Sequence, residues 1–163
     1  MTTSQHDLVP KYAIRKTLVI EPQTDNEPLS SAIACIATLF SRPLNEVNTA
    51  YALHDRPQFN DTSLECAHCI TTLLRHYGYL GRQILFTSDL DSYSGDIYIV
   101  RVPSLNGNTY DIPRDFHFII LDLRGLGFQV YDPEYGRSGR LWYSTDMFRL
   151  MGSLDYAVRI DHV

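Results

Sequence analysis

Residues 116–136, FHFIILDLRGLGFQVYDPEYG, carry the pattern from which the rest of the chain is read. The run Phe118-Ile119-Ile120-Leu121 reads as a short, almost fully buried strand, bounded by Pro113 on one side and Arg124-Gly125 on the other. The glycines of RGLG supply the permissive backbone of a tight turn, and Phe128, Val130 and Tyr131 read as the returning strand. In such a hairpin His117 stands near the start of one strand and Asp132 at the end of the other, so both fall at the same end. An imidazole oriented by a carboxylate is the second half of a nucleophile–His–Asp constellation. A buried structural His–Asp pair is the alternative reading. What decides between them is the residue standing where the nucleophile belongs.

A chain of 163 residues fits a single domain able to bury about two-thirds of its unfolded surface. The net charge of −5 comes from scattered acidic residues, and no basic patch is present, which argues against a nucleic-acid partner. No apolar run approaches the length of a membrane-spanning helix, and MTTSQHDLVPKY lacks a signal peptide's apolar core. A cytoplasmic location follows as the default. Three cysteines are too few, and odd in number, for a disulfide framework. Eleven tyrosines and seven phenylalanines supply either core and half-buried strand surface or a polypeptide-binding groove.

Residues 12–21 read as an extended segment, an edge strand or arm. From Leu29, the positions Leu29, Ala32, Ile33, Ile36, Ala37 and Phe40 form one helical stripe that ends near Ser41-Arg42-Pro43. A second short helix uses Pro43 in its first turn and carries Leu44, Val47 and Tyr51. Thr62 and Glu65 have the spacing of a capping box, and Gly78 is placed to end the helix behind it. Strands follow at 82–86, 97–102, 117–121, 128–131 and 156–160, with a cap and short helix or turn within 141–150. Helices first and antiparallel strands second is the pattern of an α+β domain.

Cys66-Ala-His-Cys69 has the spacing of half a zinc site, but no second pair matches it, and both cysteines read as small apolar helix residues. His54, His68 and His76 have no evident carboxylate partner and read as surface or satisfied histidines. No metal and no cofactor are expected.

The order of these features resembles the papain-like peptidases that process bacteriocin and other double-glycine leader peptides. In that family a glutamine that helps build the oxyanion hole precedes the catalytic cysteine by six residues. The cysteine opens a helix within a motif like Gln-x-x-x-x-Asp-Cys-Gly-x-Ala. A helix with a Ser-Leu pair, a His-Phe strand and an Asp-Pro turn followed by glycine come later. This chain has Gln23, Ala32, Ser63-Leu64 with Gly78, His117-Phe118, and Asp132-Pro133 with Gly136. Its closing LWYSTDMFRLMGSLDYAVRI also looks like the family's last segment. The resemblance covers roughly residues 20–160 of a single domain, leaving 1–20 as an N-terminal arm. It implies a papain-like α+β fold.

Six residues after Gln23 stands Leu29, where the family has its cysteine; Pro28 and Ser30 replace the neighbouring aspartate and glycine. A thiolate at a helix N-terminus performs the attack, and leucine has no nucleophilic atom. The resemblance therefore implies a pseudo-peptidase in which His117, Asp132 and Gln23 are vestigial. It is similar to the peptidase-like domains of haemolysin-type exporters, which lack the cysteine and dock substrates. Such a module would bind a leader, a secretion substrate or a partner protein in the former groove. Tyr110, Phe116, Tyr135 and Trp142 are candidate contacts. It would act as a free-standing adaptor or be a domain excised from something larger, associated with an export transporter without entering the membrane itself. The alternative is an active cysteine or serine peptidase whose nucleophile has moved to Cys35 or Ser30. Cys35 lies deep in the helix, where the terminal field has faded, and Ser30 fits better as a helix cap.

Overall fold

Pro28 opens the first helix: its fixed φ and missing N–H suit the first turn, where no intrahelical partner exists for that N–H. The computed structural model describes residues 12–25, 27–54, 58–84, 95–103, 116–125, 129–134 and 156–162. Helix α1 runs Pro28–Phe40 with Glu27 at its N-cap, so Ser30 lies inside the first turn and does not cap it. The helix ends at Ser41, in the left-handed region at φ 53°, whose N–H turns back onto Ala37 and Thr38. The apolar stripe marks only part of what α1 buries. Every residue from Ser31 to Phe40 is buried, because the helix packs against α2 (Leu44–Ala52), α3 (Thr62–His76) and the sheet at once. The two polar residues in that run find long-range partners: Ser31 on the sheet, and Thr38, whose Oγ1 accepts the Glu21 N–H at 2.9 Å.

Helix α2 starts at Leu44 with Pro43 as its N-cap. Helix α3 starts at Thr62, and its cap is Asp61, whose side chain accepts from the Ser63 N–H at 2.9 Å. The capping-box reading thus named a helix start one residue late. Gly78, at φ 91°, releases the chain directly from α3 into the first strand, which begins three residues earlier than its apolar pattern suggests.

Among the described residues the strands are β1 (Tyr79–Ile84), β2 (Ile97–Pro103), β3 (Phe116–Asp122), β4 (Gln129–Tyr131) and β5 (Ala157–His162). They form one sheet in the order β1-β5-β2-β3-β4, antiparallel at every junction. Alternate residues serve two cores. Ile99, Phe118, Ile120, Tyr131, Val158 and Ile160 join the helices, while Tyr98, Val100, Ile119, Leu121, Val130 and Ala157 form a second cluster on the opposite face. Burial on both faces explains why β2 and β3 read as continuous apolar runs. The segment before α1 is an arm rather than a strand. Arg124 donates to the Arg15 carbonyl at 2.8 Å, and Leu18 is buried with its N–H 3.4 Å from the Tyr131 hydroxyl. Among the described residues, no helix is long and apolar enough to cross a membrane.

Candidate functional site

The β3–β4 ladder pairs Ile120 with Tyr131 and Leu121 with Val130; continued outward, that register brings position 117 level with position 134. That register sets His117 across from Glu134 and two positions, a same-face diagonal step, from Asp132, so the hairpin brings His117 and Asp132 within reach of each other. His117 Nε2 lies 3.1 Å from Asp132 Oδ1, and both residues are buried. The same Asp132 oxygen accepts the Glu134 N–H at 2.9 Å, which locks the turn after β4 around the carboxylate. Glu134 is the residue that sequence reasoning missed. It is 1% exposed, and its Oε2 stands 3.8 Å from His117 Nε2. The signal was available, since extended backbone places positions 132 and 134 on one face.

In a nucleophile–His–Asp arrangement, one ring nitrogen faces the acid and the other faces the nucleophile. Here Asp132 takes Nε2, and Nδ1 is buried without a hydrogen-bond partner among the described residues. The head of α1 is fastened beside this histidine by Ser31. Its Oγ accepts the Phe118 N–H at 2.9 Å and donates to the Pro28 carbonyl at 2.6 Å. Both hydrogen-bonding capacities of that hydroxyl serve structure. Leu29, half-buried, packs against the helix-facing core, and Ser30 is likewise half-buried in the first turn.

Cys35 is completely buried in α1, and its thiol is pushed well above its ordinary value, first by burial and then by the negative charge of Asp132. That is the reverse of an activated thiolate. Cys66 is also buried and raised to about 12, chiefly by burial. Gln23 arrives at the site through its backbone: its N–H donates to the Pro133 carbonyl at 2.8 Å, next to Asp132. Its side-chain N–H donates to the Asp25 carbonyl at 2.6 Å, inside its own loop, and Oε1 is buried without a partner among the described residues. Phe116 opens β3, half-buried, with the Arg101 guanidinium 5.3 Å from its ring centre. Tyr110, Tyr135 and Trp142 lie outside the described residues, as do Gly136 and residues 141–150.

His117, Asp132 and Glu134 offer one imidazole nitrogen and two carboxylate oxygens within 4.8 Å of one another. The Asp132 oxygen in that group already takes two hydrogen bonds, and all three side chains are shut off from solvent. A metal there would have to displace the hydrogen bonds that hold Asp132.

No protein-family model and no curated protein matches the sequence. Solved structures do match. One is a double glycine motif protease from an AMS/PCAT transporter in complex with the leader peptide. It aligns at a TM-score of 0.59 and 15% identity, over 95% of this chain and 99% of that one. Another is the peptidase domain of Streptococcus ComA, a bi-functional ABC transporter involved in a quorum-sensing pathway. It aligns at 0.57 and 15% identity, over 91% of this chain and all of that one. The likeness is one of fold: helices on an antiparallel sheet in the papain-like α+β arrangement of these peptidase domains.

Proposed function

We propose that this chain is a peptidase-like module of the double-glycine leader type that holds a polypeptide in the former substrate groove and does not cleave it. The observation that carries this reading is at His117. Asp132 holds one ring nitrogen, the other is buried with no hydrogen-bond partner among the described residues, and the position six residues after Gln23 is Leu29. An acid–imidazole pair without an attacking atom retains only what binding and electrostatics supply. Neither proposed substitute is well suited to the attack. Cys35 is buried with a raised thiol, and Ser30 has neither a thiol's acidity nor a place at the N-cap. One of the two Gln23 side-chain N–H groups is spent on the Asp25 carbonyl inside its own loop, which leaves a single donor for any oxyanion.

The partner is then a peptide or an extended segment of another protein, and the module belongs in leader or substrate handling beside an export transporter in the cytoplasm. Fluorescence anisotropy with a labelled peptide ending in a double-glycine leader motif tests this. The wild type is expected to give saturable binding, and Leu29→Trp, which enlarges the side chain at the head of α1, at least tenfold weaker binding. Equal affinity for the variant, or no saturation by the wild type, would count against a groove at this position.

A further inference from the structure

At the C-terminal ends of α2 and α3, the fold brings two histidines together that are 22 positions apart in the chain. His54 follows the C-cap of α2, and His76 is the last residue of α3. His54 Nε2 and His76 Nδ1 are 3.4 Å apart, the ring centres 5.4 Å, and the rings nearly perpendicular at 88°. For a direct N–H···N hydrogen bond, 3.4 Å is long. For two imidazoles on one tetrahedral zinc, with Zn–N of about 2.0–2.1 Å, the ligating nitrogens sit about 3.3–3.4 Å apart and the ring centres about 5.2 Å.

The surroundings suit a cation. Both histidines stand at helix C-termini, where the last carbonyls carry partial negative charge. The Glu46 carboxylate, ion-paired with Arg42, lies within electrostatic range of His76. Arg75, in the wall of the same open cleft, works against a cation, and His68, Thr71 and Thr72 complete the lining. His54 is half-exposed and His76 exposed, so an ion reaches both rings from solvent.

We propose that His54 Nε2 and His76 Nδ1 form a two-histidine site for a divalent transition-metal ion, zinc by its ligand preference, that ties the C-terminal ends of α2 and α3 together. Among the described residues no third histidine, cysteine or carboxylate closes on both rings, so water completes the coordination there. Imidazole ligands select zinc, nickel or copper over magnesium and calcium. The site is independent of the peptide-binding reading.

Titration calorimetry of the full chain with zinc chloride tests it. One zinc per chain is expected, with at least tenfold weaker binding in both His54→Gln and His76→Gln, less than threefold change in His68→Gln, and no saturable binding of magnesium. Zinc is also expected to raise the melting temperature of the wild type and leave that of His54→Gln/His76→Gln unchanged. Circular dichroism confirms that the variants are folded. Absence of saturable zinc binding to the wild type would overturn the proposal. So would undiminished binding in the double variant, which would assign the ion to other ligands such as the His117 group.

Discussion

His117 and Asp132 are a pair in which each residue's burial depends on the other. An imidazole and a carboxylate withdrawn from water are tolerable because Nε2 and Oδ1 meet at 3.1 Å and Oδ1 also receives the Glu134 N–H. Removing one partner of such a buried pair costs about 3–5 kcal/mol. Asp132→Ala is therefore expected to lower unfolding free energy by that order in urea titration; a loss below about 1 kcal/mol would mean the pair contributes little to the fold. The meeting of these two residues was legible, because hairpin partners are close in the chain and the strand run and turn glycines set the geometry. Glu134 was legible by two-residue periodicity and was overlooked. The 3.4 Å approach of His54 and His76 was not, because it depends on how the ends of α2 and α3 pack.

At the scale of elements, the apolar patterns located helices and strands, and partners set their limits. The spacing of Thr62 and Glu65 pointed to a capping box, yet the side chain that accepts a helix N–H is that of Asp61. Asp61→Ala is expected to cost about 1 kcal/mol, as loss of a helix N-cap does. Thr62→Ala, at an exposed site inside the first turn, is expected to stay within about 0.5 kcal/mol. Paired thermal unfolding of the two variants distinguishes the caps, and a larger loss at Thr62 would restore the original assignment. Helix α1 shows a second limit of periodicity. Its stripe Leu29, Ala32, Ile33, Ile36, Ala37 and Phe40 suggested one buried face, but Ser31, Cys35 and Thr38 are buried as well. Their polarity conceals this, because the partners that satisfy Ser31 and Thr38 come from Phe118 and Glu21, far away in sequence.

Across the whole molecule, a helical layer on one five-stranded antiparallel sheet reproduces the fold of transporter peptidase domains at only 15% identity. The fold was readable because both layers have their own periodicity and come in separate halves of the chain. Activity is not a property of the fold; it resides in the attacking atom. On the proposed reading, the molecule keeps the acid–imidazole pair of a peptidase and has Leu29 in place of the nucleophile. Incubating the wild type with a double-glycine leader peptide beside Cys35→Ser and Ser30→Ala, and following cleavage by mass spectrometry, decides whether the chain lacks a working nucleophile. The expected result is an intact peptide in all three. Wild-type cleavage that disappears in either variant would overturn that reading and identify the displaced nucleophile.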